Sequence, residues 1–134
     1  MTTHTEPIGL VLEDQAGAHL AGGRCPACGV ETFPRAAACP RCSGPMLDIA
    51  LPDSGTVWTM TVQRLEPKPP YRGPSPFVPF AVAYVDLGPV RVEAPLSGRP
   101  ADEWRIGDPV EFAPGEPDAD GNVWTFSFRP KAGA

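Results

Sequence analysis

The sequence predicts a mainly β protein: a small N-terminal unit built on four cysteines, then a five-stranded barrel. Three observations carry this. All four cysteines fall into two Cys-x-x-Cys pairs. Proline (19) and glycine (14) make up about a quarter of the 134 residues, which leaves little room for long helices and favours short strands joined by turns. Five short runs of β-branched and aromatic residues then follow one another between Thr56 and Phe128, with turn residues between them.

The cysteines read Cys25-Pro26-Ala27-Cys28, ten residues, then Cys39-Pro40-Arg41-Cys42. Each pair turns two thiolates toward one point, and four thiolates close a tetrahedral shell. Gly29 and Gly44 follow the pairs, and glycine suits a tight turn, often with φ > 0, that aims backbone amides at sulfur. This is the knuckle pattern of a rubredoxin-like zinc ribbon. Cys25, Cys28, Cys39 and Cys42 are therefore the expected ligands of one structural Zn2+, with iron in the same four-sulfur shell as the alternative. A closed shell has no open position for substrate, so the metal bears on folding rather than chemistry. Two disulfides are the competing reading. They belong to secreted chains, and the start Met1-Thr2-Thr3-His4-Thr5-Glu6-Pro7 has neither a basic region nor a long apolar run. Free thiolates without an export signal point to the cytoplasm.

In chain order, residues 1–22 form an N-terminal segment. His4 is expected in a disordered start. Ile8–Leu12 and His19–Ala21 flank the turn signal Asp14-Gln15-Ala16-Gly17 and predict a hairpin, with a short helix over Leu12–Leu20 as the competitor. Residues 23–46 are the ribbon, with a short strand expected at Val30–Phe33. Its three arginines, Arg24, Arg35 and Arg41, against the single carboxylate Glu31 leave it locally +2. They make either a solvated surface or a docking face for an acidic partner or a phosphate. Residues 47–134 form the barrel part, entered through a link at 47–54 with the turn signature Pro52-Asp53-Ser54-Gly55.

The barrel strands are expected at Thr56–Val62, Phe80–Leu87, Val90–Ala94, Pro109–Phe112 and Val123–Phe128, the last opened by a hairpin turn at Asp120-Gly121-Asn122. One helical turn at Ala101–Arg105 falls between the third and fourth strands. Five short strands in this order suit an OB-fold, a Greek-key barrel of this size, with an SH3-like barrel as runner-up. The stretch from Glu66 to Phe80 breaks the rhythm with its prolines and with Tyr71, Phe77 and Phe80. Fixed φ angles let it be extended and stiff, so its aromatics either tuck onto the barrel or present area for recognition at low entropy cost.

Net charge is -5, and neither half of the chain is basic. That opposes binding through phosphates, which needs clustered Lys and Arg. No apolar run approaches a membrane span. No phosphate loop is present, the cysteines are committed, and His19 has no evident partner. Asp86, Glu93 and Asp102 are spaced as ordinary surface or turn carboxylates, so the chain alone is not expected to be an enzyme.

Gly23-Arg24-Cys25-Pro26-Ala27-Cys28-Gly29, Phe33-Pro34-Arg35, Cys39-Pro40-Arg41-Cys42, Ser54-Gly55-Thr56-Val57-Trp58-Thr59, the run Pro79–Leu87, Ile106-Gly107-Asp108-Pro109-Val110-Glu111 and Phe128-Arg129-Pro130 together resemble the zinc-ribbon OB-fold proteins associated with acyl-CoA enzymes, long classed as a domain of unknown function. The resemblance implies a non-catalytic accessory subunit of a thiolase-superfamily partner of lipid-transfer-protein type. That partner acts on CoA thioesters by thiolysis, acyl transfer or retro-aldol cleavage, for example in steroid side-chain or aromatic-acid degradation, and the resemblance implies a hetero-tetramer. It also implies that the chain helps form the CoA tunnel. The residues placed there are Tyr71, Arg72, Phe77 and Phe80, with Arg24, Arg35 and Arg41 second. A nucleic-acid-binding ribbon and barrel is the alternative.

Overall fold

The protein is described by a computed structural model covering residues 3–5, 11–15, 17–68, 76–115 and 126–132. It forms two compact units, Met1–Asp53 with Leu87–Arg91, and Ser54–Asp86 with Val92–Ala134.

The first unit is an antiparallel sheet gathered on one strand. β1 (Thr3–Thr5) pairs with β2 (Val11–Asp14), and β2 with β3 (Gly17–Arg24). The far half of β3 pairs with β4 (Glu31–Thr32) on one side and β5 (Leu47–Ala50) on the other. The expected hairpin is present and the competing helix is not. Three expectations are corrected. His4 lies in β1 opposite Leu12, because strand pairing supplies hydrogen bonds that composition does not announce. Residues 47–50, expected as a link, complete the sheet as β5, since β3 has an edge to satisfy. His19 has a partner: its Nδ1 lies 2.9 Å from Asp53 Oδ1. Gly22 sits where three strands meet. A Cβ there would come within 2.7 Å of Leu51 Cδ2 and 2.9 Å of the Thr32 carbonyl oxygen, so only glycine lets the strands close up.

The second unit is the barrel. β6 (Ser54–Gln63) pairs with β7 (Phe80–Asp86) and with β9 (Pro109–Pro114). β8 (Arg91–Pro95) flanks β7, and β10 (Phe126–Pro130) flanks β9. The ends meet through a parallel bridge between Leu96 and Phe128, where the Ser97 amide donates to the Phe128 carbonyl at 2.8 Å. First strand paired with second and fourth, third meeting fifth in parallel: this is the OB arrangement, and it decides against the SH3-like alternative. The expected helical turn is a 3-10 turn at Ala101–Glu103. The residues Val123–Thr125 and the turn Asp120-Gly121-Asn122 lie outside the described residues.

Alternation places the core. Ala81, Ala83 and Val85 of β7, Val92 and Ala94 of β8, and Val110 and Phe112 of β9 point inward. Phe112, Phe126 and Phe128 meet with centroids 6.1 to 6.4 Å apart, in the tilted and edge-on geometries that aromatic quadrupoles favour. Trp104 is buried beyond the 3-10 turn. Arg99 lies 4.4 Å over its ring and pairs with Asp108 at 2.9 Å.

Phe128 is wholly buried and stands at the closing bridge. Phe128→Ala is expected to cost about 3–5 kcal/mol, read from chemical denaturation. On β9, Glu111 accepts from Arg129 at 2.9 Å and from the Ala132 amide at 3.3 Å. The Arg129 guanidinium, with that amide, holds its carboxyl below the ordinary range. Unfolding therefore raises its proton affinity, so its contribution is complete above the ordinary carboxylate range and is lost as pH falls through the folded value. Glu111→Gln is expected to lower the melting temperature slightly at neutral pH and to leave it unchanged at strongly acidic pH.

Candidate metal centre and associated surfaces

Two knuckles of matching backbone form the centre. In the first, the Cys25 amide donates to the Val30 carbonyl at 2.9 Å and the Gly29 amide to the Cys25 carbonyl at 2.8 Å. In the second, the Cys39 amide donates to the Gly44 carbonyl and the Ser43 amide to the Cys39 carbonyl, both at 2.8 Å. The tight turn requires a left-handed residue directly after each second cysteine. Gly29 supplies it at φ 75°, but in the second knuckle Ser43 does so at φ 65°. The expectation that Gly44 would take this place is corrected: Gly44 instead donates its amide to Cys42 Sγ at 3.4 Å.

The four sulfurs all lie within 4.8 Å of one another, and Cys25 Sγ is 3.6 Å from Cys42 Sγ. Zinc–sulfur bonds of about 2.3 Å in a tetrahedron put sulfurs about 3.8 Å apart, so the set fits zinc in both donor type and spacing. Amides point at the sulfurs as they would at thiolates: Cys28 N to Cys25 Sγ at 3.3 Å, Arg41 N to Cys39 Sγ at 3.3 Å and Cys42 N to Cys39 Sγ at 3.5 Å. Such donors disperse the charge that four thiolates bring together. As thiols the groups titrate unequally. Donation from the Cys42 backbone brings Cys39 down to about 7, while the side-chain hydrogen bond with Cys42, with burial adding to it, pushes Cys28 up to about 12.

The predicted contact residues fall in both units. Arg24 ends β3 and is exposed, and Arg41 is exposed inside the second knuckle. Arg35, after a cis Phe33–Pro34 bond, pairs with Asp48. Tyr71 and Arg72 lie outside the described residues. Phe80 is buried at the start of β7, and half-buried Phe77 stands edge-on to it at 6.2 Å. Of the carboxylates weighed earlier, Asp102 pairs with Arg64 at 3.2 Å. The sequence reading passed over a shallow groove of 170 Å³ on the outside of the barrel, lined by Thr59, Met60, Thr61, Val82, Ala83, Tyr84 and Glu93. Its signal was the outward alternation of Tyr84 and Val82 along β7. Among the described residues no helix is long and apolar enough to cross a membrane.

A four-thiol ribbon followed by a closed five-stranded Greek-key barrel defines a zinc-ribbon OB-fold protein. Family comparison carries this further: residues 17–48 match the rubredoxin-like zinc ribbon domain of ChsH2 and residues 48–113 match the ChsH2 C-terminal OB-fold domain. The chain belongs to the ChsH2 family. It is similar to a solved structure, the Ltp2-ChsH2(DUF35) aldolase, with 28% identity and a TM-score of 0.65 over 84% of each chain. No curated protein matches the chain.

Cys39→Ser is expected to abolish stoichiometric metal retention, measured by elemental analysis. It should unfold the ribbon sheet while the Phe112–Phe126–Phe128 core still melts cooperatively. Because a metal binds thiolates, protons compete with it. Metal retention by the unaltered protein is therefore expected to fall on acidification and to recover when the pH is restored with zinc present.

Proposed function

We propose that the chain is a non-catalytic subunit that binds and props a thiolase-like catalytic subunit of Ltp2 type acting on acyl-CoA thioesters. Carbon–carbon cleavage by a retro-aldol step is the favoured reaction, with steroid side chains as the favoured substrate class. One observation carries the reading. A zinc ribbon and an OB barrel of the same family, over 84% of each chain, stand in a solved structure named as an Ltp2-ChsH2 aldolase. The four thiolates of Cys25, Cys28, Cys39 and Cys42 hold one zinc, which fixes the ribbon and supplies no chemistry. The segment carrying Tyr71, Arg72, Phe77 and Phe80 borders the partner's CoA tunnel, and Arg24, Arg35 and Arg41 face CoA phosphates or an acidic partner surface. Two copies of each subunit make the assembly.

The test is co-purification of the tagged chain with the products of neighbouring genes, with zinc measured on the same sample. A thiolase-like protein in stoichiometric amount with one zinc per chain is expected, with turnover of an acyl-CoA by the pair and none by either chain alone. A monomer that carries zinc and recruits no such protein overturns the reading. In the recovered pair, the double variant Tyr71→Ala/Phe77→Ala is expected to lower turnover about tenfold or more, on the scale of interface anchors. Full activity would remove that segment from the tunnel.

A further inference from the structure

The outward face of β6 and β7 is built unlike the outside of a solvated barrel. Along β7, Ala81, Ala83 and Val85 are buried, so Val82 and Tyr84 face out. Along β6 the register slips: Val57 opposes Val85, and the next paired residue is Thr59, opposite Tyr84. Trp58 is the extra residue of a β-bulge. The bulge puts Trp58 and Thr59 on the outer face in succession, where a regular strand would send one of them inward. The indole meets the Tyr84 ring edge-on at 6.3 Å, and both rings stay close to half exposed, at 47% and 45%. Thr61, paired with Val82, extends the surface, and Phe80 lies on the same face two residues before Val82 with Phe77 against it. The result is an aromatic and methyl-rich stripe over an open groove whose lining includes one carboxylate, Glu93, with Asp86 of β7 and Arg91 of β8 alternating onto the same outward face.

We infer that this stripe, centred on Trp58 and Tyr84, is the surface that receives the catalytic subunit, through an apolar projection flanked by a lysine or arginine that meets Glu93. The inference rests on the function proposed above and adds the surface to it. The groove is too shallow and open to enclose a small ligand, which sites of that kind bury by most of their area. Paired aromatics at a flat centre are what protein interfaces use as anchors. Glu93 in the groove lining offers a cationic counterpart an ion pair, and the net charge of -5 favours the same complement. The solved family member is named for its assembly with another protein, which gives the surface an occupant of that class.

The experiment uses the catalytic subunit recovered by co-purification and measures its affinity for the full chain and for variants of it. Trp58→Ala and Tyr84→Ala are each expected to weaken binding about tenfold or more, on the hot-spot scale, with zinc content unchanged. Glu93→Arg is expected to weaken it further at low salt than Glu93→Gln. Thr61→Arg, at an exposed position, is expected to block docking by bulk, and it serves if either aromatic variant folds poorly. Ile106→Ala, at an exposed site off this face, is the control and should bind as the parent does. Unaltered affinity in the Trp58, Tyr84 and Thr61 variants, with the pair still forming, overturns the surface and leaves the proposed function standing. If the parent recruits no catalytic subunit, both fall. If instead Trp58→Ala and Tyr84→Ala abolish a homodimer of the chain, or a mobility shift with single-stranded DNA, the occupant is wrong and the inference is overturned.

Discussion

The ribbon depends on bringing four sulfurs to one point. Among the residues whose burial is described, the apolar interior along β3 and its neighbours is small: beyond Cys25 and Cys39 themselves it holds Leu20, Ala21 and Leu51. So small an interior cannot offset the entropy of ordering two turns and three short strand pairings. The amide donors around each sulfur give the same answer from the other side. They are aimed at atoms that will carry charge, and a charge gathered in this way needs a cation to offset it. The backbone repeats the solution twice, and the one difference between the knuckles is informative. Ser43 holds a left-handed conformation that Gly29 adopts without steric cost, so the second turn is strained by about 1 kcal/mol or more, and metal ligation by Cys42 next door is what would over-determine it.

The barrel solves the same problem with apolar area instead of a metal. Its strands are short, and an open sheet of that length would leave edges. Closure through Leu96 and Phe128 removes the need for a covering helix, and the 3-10 turn at Ala101–Glu103 leads into buried Trp104 and holds Asp102 against Arg64. Buried small residues on β7, Ala81 and Ala83, share the barrel's interior with the three phenylalanines of β9 and β10.

What could be read in the sequence follows from how local each signal is. The cysteine set was legible because ligand spacing is a short-range constraint, and the barrel strands were legible because alternation is. Non-local satisfaction was not. His19 and Asp53 are 34 residues apart, and nothing in either neighbourhood announces the pair. Likewise, Leu47–Ala50 stands between turn-forming prolines and looks like a link until β3 is seen to need a second neighbour. His4 joins a strand for the same reason. The shift of the left-handed residue from Gly44 to Ser43 is a matter of one position within a turn, finer than residue preference resolves.

The bulge at Trp58 was invisible for a further reason, and it bears on function. Strict alternation from Val57 already counts Trp58 as outward, toward Tyr84, and counts Thr59 as inward. The register slip turns Thr59 outward as well and gives Tyr84 two outward neighbours on β6, Trp58 and Thr59. Bulges cost ladder hydrogen bonds and persist where a re-aimed side chain is useful. Trp58 and Tyr84 meet edge-on and each keeps close to half of its surface exposed. The metal unit fixes the ribbon, closure fixes the barrel, and the outward aromatic pair on β6 and β7 is the feature from which the docking surface is inferred.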